Sequence, residues 1–160
     1  MSASTAITIL VADDDEEDRE LTREALTRAR LANNLHFVRD GEELMSYLHR
    51  RGPYAASGAA PRPGLVLLDI KMPKKDGFTC LREIRGDASL RQLPVVILTT
   101  SSAEEDIYRS YDLGVNSFVS KPVTLQGLVD AMVALGRYWF EIVELPGTPD
   151  AQTPVPPQFK

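Results

Sequence analysis

The chain contains one cysteine, Cys80, in 160 residues, so no internal disulfide can form and a reducing cytosol is its natural setting. Its two histidines, His36 and His49, lack a Cys or acidic partner at ligand spacing, and neither predicts a metal site. Neither G-x-x-x-x-G-K nor G-x-G-x-x-G occurs, which excludes the common nucleotide-phosphate loops, and there is no serine elbow or triad signature. Basic residues number 18 against 23 acidic ones, a net charge of −5, which argues against a nucleic-acid-binding surface. No apolar run approaches the ~20 residues of a membrane span, and the polar start MSAST has no signal-peptide core. These absences predict a soluble, cytoplasmic protein with neither nucleic acid nor membrane as partner. What remains is 43% hydrophobic, enough for one real core.

That hydrophobicity is concentrated in short continuous runs. Leu65 to Leu68 reads as a strand buried on both faces, because helices covering a parallel sheet remove the apolar and polar alternation. The run ends on Asp69. Residues 6–12 end likewise in Asp13, Asp14 and Asp15, residues 94–98 in Thr99, Thr100, Ser101 and Ser102, and residues 116–120 in Lys121 and Pro122. In open α/β sheets, ligands collect outside the carboxyl ends of the strands, so this edge is the expected site.

Helical patterns lie between the runs, giving the order βαβαβαβαβα and a flavodoxin-like, doubly wound α/β fold with helices on both faces of a five-stranded parallel sheet. The first helix is predicted over 16–31, started by Asp15 with Asp18 and buried along Leu21, Ala25, Leu26 and Ala29. Capping boxes predict a second helix over 41–51 (Asp40 with Glu43) and a fourth over 103–113 (Ser102 with Glu105). Asp76 and Gly77 read as a turn before the third helix, in which Cys80 is a buried small hydrophobe. Lys74 and Lys75 read as solvated loop cations. Residues 52–64, rich in Gly, Pro and Ala, read as a long surface connection, and the domain is expected over 1–145 with a flexible tail over 146–160.

Carboxylates converging on one small volume repel one another, and a hard divalent cation such as Mg²⁺ relieves that repulsion. A carboxylate oxygen can attack phosphorus to give an acyl phosphate when metal and fixed cations neutralise the phosphoryl oxygens. Lys121 can supply the cation, and Thr99 a hydroxyl donor.

With ADD at 12–14, LLDIKMPKKDG at 67–77, LTT at 98–100 and SKP at 120–122, the chain resembles the receiver domain of two-component response regulators. VVILTTSS, KPVTLQGL and the terminal RYWFEIVELP make it most similar to the small single-domain regulators that serve bacterial phytochromes. The resemblance implies that Asp69 is the phosphoacceptor, that Asp13 and Asp14 are the metal-binding acidic pair, and that the Lys71 carbonyl is a third protein ligand of Mg²⁺. It further implies Thr99 as switch hydroxyl, Phe118 as switch aromatic turning into space that Thr99 vacates, and Lys121 as phosphate-binding cation preceding a cis peptide to Pro122. The implied partner is a sensor histidine kinase of phytochrome type. Onward signalling to a histidine phosphotransfer protein, by protein contact, or by draining phosphate stays open. Only self-phosphorylation and self-dephosphorylation are expected, with no separate substrate.

The last helix, predicted over 124–144, carries a core stripe of Leu125, Leu128, Met132, Leu135, Trp139 and Ile142. Val129 and the set Val133, Tyr138, Phe140 and Val143 add apolar surface at other angles, which predicts a homodimer face or a folded-back tail. Two other function classes stand beside the relay. A haloacid-dehalogenase-type phosphatase needs a second acid two residues after the nucleophile, where this chain has Lys71. A phosphate-independent interaction module has no need of Asp69, the acidic pair or Lys121, all of which are present.

Overall fold

A computed structural model of the chain describes residues 7–31, 34–100 and 103–137. Five strands, β1 (Ile9–Ala12), β2 (Leu35–Val38), β3 (Leu65–Leu68), β4 (Val95–Thr99) and β5 (Ser117–Ser120), form one parallel sheet in the order β2-β1-β3-β4-β5. Five helices intervene: α1 (Glu16–Arg28), α2 (Gly41–His49), α3 (Gly77–Gly86), α4 (Glu104–Asp112) and α5 (Leu125–Gly136). This is the flavodoxin-like doubly wound architecture.

The side-chain period of two divides each continuous apolar strand between two cores. Leu10, Ala12, Val66, Leu68, Val95, Ile97 and Phe118 face α2, α3 and α4, whereas Ile9, Val11, Leu65, Leu67, Val96, Leu98 and Val119 face α1 and α5. Registers Ala12↔Leu68 and Leu68↔Ile97 align the strands so that Asp13 and Asp69 leave the sheet side by side.

Helix starts follow the acidic residues. Asp15, Asp40 and Asp76 accept from the backbone N–H three residues on, in Asp18, Glu43 and Thr79. Glu43, however, reaches back to the Arg39 N–H and not to that of Asp40. The fourth helix departs further from expectation. Its N-cap is Ala103, with no side-chain cap bond, and Ser102 lies outside the described residues. In α1, Leu21 is 43% exposed and Thr22 is buried in its stead, because the inward stripe through Ala25, Leu26 and Ala29 continues to position 22 and leaves 21 at its edge. Val129 belongs to the α1–α5 core, and of the second apolar face only Val133, 42% exposed, lies among the described residues. Tyr138, Phe140, Val143, Trp139 and Ile142 lie outside them, as does the tail from 146.

The connection after α2 is tied down at several points. Tyr47 Oη donates to the Pro61 carbonyl (2.8 Å), Arg50 Nε to that of Ala60 (3.1 Å), and Tyr54 Oη to Glu43 (2.9 Å). Gly77 opens α3 directly behind the site. A Cβ there would overlap the Asp69 carbonyl oxygen and lie 2.9 Å from Ile70 Cα, so only glycine admits this approach.

Candidate functional site

Four strand ends deliver two carboxylates, a hydroxyl and an ammonium to one edge. Asp13 follows β1, with its N–H bonded to the Val38 carbonyl (3.1 Å), and is 2% exposed. Its Oδ1 accepts from the Asp15 N–H (3.0 Å), and its carbonyl accepts from Arg19 Nη1 (2.9 Å). Asp69 follows β3, with its N–H on the Ala12 carbonyl (3.0 Å). Its own side chain folds back so that Oδ1 accepts from the Ile70 N–H (2.8 Å), which fixes the carboxylate's plane. Thr99, fully buried, closes β4, and its carbonyl accepts from the Lys121 N–H (2.7 Å).

Carboxylate oxygens of Asp13, Asp14 and Asp69 all lie within 4.8 Å of one another. An all-oxygen donor set of this size and charge suits a hard divalent ion. Lys71 is exposed on the loop after Asp69.

The Lys121 ammonium sits among these acids. It donates to Asp13 Oδ2 (2.5 Å) and Asp18 Oδ2 (3.2 Å) and stands 3.6 Å from Asp69 Oδ2. Burial works to lower the lysine's pKa, but the bond to Asp13 and the charges of Asp69 and Asp18 outweigh it and raise it above the ordinary value. Burial pushes the Asp13 carboxyl up, and neighbouring Asp69 adds to that push. The Lys121 bond and the Asp15 amide pull it down without cancelling the rise. With three carboxylates within 3.6 Å to hold its proton, Lys121 is the charged member of an ion pair at neutral pH.

Some expectations change here and others hold. The described residues contain no cis peptide, so the bond between Lys121 and Pro122 is trans, the isomer an X-Pro bond prefers by about 0.5–1 kcal/mol. Lys121 is aimed by its backbone bond to Thr99 instead. Phe118 is 1% exposed and packed with the α2–α3–α4 core, so its ring is already inward. Lys74 is an exposed loop cation 3.8 Å from Asp40, but Lys75 is paired with Glu83 at 2.7 Å and only a quarter exposed. Cys80 is fully buried with its thiol toward the Gly41 carbonyl. Two contributors escaped the sequence reading: Arg19, which holds the Asp13 carbonyl, and Asp18, read there only as part of a helix start.

Residues 9–133 match the family model described as "Response regulator receiver domain". The chain is 39% identical over 138 residues to response regulator Rcp1 of Synechocystis sp., covering 86% of this chain and 92% of that one. The crystal structure of the Mn²⁺-bound form of Rcp1 superposes with a TM-score of 0.79 at 38% identity, covering 88% and 99% of the two chains. The phosphorylated cyanobacterial phytochrome response regulator RcpA gives 0.81 at 38% identity (89% and 100%). RPA3017, a response regulator in red light signaling of R. palustris, gives 0.83 at 37% (89% and 99%).

Proposed function

This chain belongs to the response regulator receiver family, and on that premise we propose that it takes a phosphoryl group from a sensor histidine kinase onto Asp69. One observation carries the assignment. Asp69 Oδ1 is held by the Ile70 amide, while Oδ2 faces the Lys121 ammonium at 3.6 Å beside the Asp13 and Asp14 carboxylates. Oδ2 is the attacking atom. It forms the new O–P bond as the P–N bond of a phosphohistidine breaks, and the electron pair stays on the departing imidazole, which takes up a proton.

Asp13, Asp14, Asp69 and the Lys71 carbonyl would hold the divalent ion, which we assign as Mg²⁺. When bound, it offsets charge on the phosphoryl oxygens. Lys121 supplies a fixed positive charge on the other side, and the Thr99 hydroxyl donates to a phosphoryl oxygen. Modification adds charge at Asp69, draws on Thr99 and Lys121, and so alters the packing of β4, β5 and the α4 face that adjoins them. Phe118, buried here, is the aromatic that we expect to turn into the space Thr99 vacates.

The likeness to a phytochrome response regulator and a red-light regulator supports a phytochrome-type kinase as the source of phosphate. Exposed Val133 supports a homodimer through α5, for which sedimentation equilibrium is the test: a monomer at every concentration removes it. A histidine phosphotransfer protein is a fitting onward acceptor. The family is generally one of signalling proteins, and we read this member as having only self-phosphorylation and self-dephosphorylation chemistry. Among the described residues no helix is long and apolar enough to cross a membrane, in keeping with a cytoplasmic site of action.

Intact-mass spectrometry after incubation with acetyl phosphate and Mg²⁺ tests the central assignment. One phosphoryl adduct is expected, absent from Asp69→Asn and from an EDTA control. Folded protein that takes neither phosphoryl nor beryllofluoride overturns it in favour of a phosphate-independent interaction module.

A further inference from the structure

Asp18 has two bonds that serve different ends. Its backbone N–H completes the α1 cap on Asp15 (3.1 Å), while its carboxylate leaves the helix and accepts from Lys121 Nζ at 3.2 Å. It is not one of the three acids whose oxygens gather within 4.8 Å, so a cation in that cluster leaves the Asp18 carboxylate to the lysine. Asp13 is in both sets. Its Oδ2 carries the shortest bond to Lys121, and it is one of the three clustered acids.

A divalent ion and an ammonium cannot share one carboxylate without strong like-charge repulsion. A cation entering the cluster therefore competes with Lys121 for Asp13 and weakens that bond. The lysine side chain is only 9% exposed, whereas that of Asp18 is 35% exposed, which places Asp18 at the wetter rim of the same pocket. We propose that Asp18 is a positioning residue that receives the Lys121 ammonium as metal takes Asp13, keeping the lysine within reach of Asp69. The inference rests on the metal-dependent phosphoacceptor reading above, and deepens it.

The test is a double-mutant cycle on Mg²⁺ affinity, read by isothermal titration calorimetry of the full chain without any phosphoryl donor. Asp18→Asn, which keeps the size and removes the charge, is expected to weaken Mg²⁺ binding by about two- to fivefold, the worth of a partly exposed ion pair. The same substitution in a Lys121→Met background is expected to change it by less than about 1.5-fold, because there is no ammonium to relocate. Equal weakening in both backgrounds means that Asp18 acts through its field alone and overturns the inference, as does full affinity in Asp18→Asn itself. Circular dichroism and thermal unfolding verify that each variant is folded. Failure of the parent reading is seen separately: wild type that binds no Mg²⁺, or gives no acetyl phosphate adduct when Mg²⁺ is saturating, removes the relay assignment whatever the cycle shows.

Discussion

Lys121 Nζ lies 2.5 Å from Asp13 Oδ2 and 3.6 Å from Asp69 Oδ2, so a single buried cation is shared by the two acids that leave the sheet on adjacent strands. Removing it by Lys121→Met exposes Asp13 and Asp69 to each other with little water to separate them. Breaking a fully buried pair costs about 3–5 kcal/mol, and the wetter rim at Asp18 brings the expected loss here to about 1–3 kcal/mol. Urea denaturation at pH 7 without metal measures it. Mg²⁺ at a hundredfold excess over its Kd is expected to return about 2.7 kcal/mol to the wild type. At equal Mg²⁺ the gain should be larger in Lys121→Met, where the ion meets no competing ammonium, and absent in Asp13→Asn. Wild-type stability in metal-free Lys121→Met would show that the pair contributes nothing.

What the sequence made legible follows from burial. β1, β3 and β4 are apolar runs, and β5 keeps Phe118 and Val119 between two serines, because both faces of the sheet are covered; each ends where the polar residues of the site begin. The groups at Asp13, Asp69, Thr99 and Lys121 are therefore visible as strand ends in the sequence itself. The route of the chain after α2 was not. It is held by side chains of Tyr47 and Arg50 donating to backbone carbonyls, and a carbonyl acceptor has no residue type to recognise. Asp18 was hidden for a different reason. An acidic residue in the first turn of a helix is already accounted for by the cap and macrodipole, so its bond to Lys121, 103 positions away, left no separate trace.

Ser117 opens β5 fully buried, and its hydroxyl has no hydrogen-bond partner among the described residues. A buried polar group without a partner costs about 1–3 kcal/mol, against the small packing contribution of one oxygen atom. Ser117→Ala is accordingly expected to stabilise the protein by about 1 kcal/mol in chemical denaturation, with unchanged adduct formation at Asp69. Destabilisation by the same amount would mean that the hydroxyl is satisfied in solution.

Alkaline pH should loosen the end of α2. Burial pushes the Tyr47 phenol up to about 12, and burial together with the Glu43 bond does the same for Tyr54, from an ordinary value of 10.0. Raised folded-state values mean that the unfolded chain releases these protons first. Their contribution is complete below about pH 10 and is lost as pH rises towards 12. Absorbance titration at 295 nm (a wavelength chosen for phenolate) should show two late-titrating tyrosines, and denaturation midpoints should fall between pH 10 and 12. Tyr54→Phe, which deletes one of the two phenols, should flatten that fall. Normal titration of all tyrosines would contradict the packing of this connection.

Two glycines of α3 give opposite expectations for the same substitution. Gly86 ends the helix with open space where a Cβ would go, so Gly86→Ala should gain up to about 1 kcal/mol from helix propensity alone. Gly77→Ala receives the same propensity gain, but its Cβ would overlap the Asp69 carbonyl oxygen and press on Ile70. Backbone cannot swing aside as a flexible side chain can, and overpacking of this kind costs about 1–3 kcal/mol, enough to reverse the sign. The displaced peptide is the one whose Ile70 N–H fixes Asp69 Oδ1, so the strain reaches the attacking carboxylate directly. Gly77→Ala is therefore expected to be less stable than wild type and slower to form the acetyl phosphate adduct, while Gly86→Ala is more stable and unchanged in rate. Should Gly77→Ala phosphorylate at the wild-type rate, the close approach of α3 to Asp69 would be a matter of packing only, and the orientation of that carboxylate would have to come from the β3 strand end and Lys121.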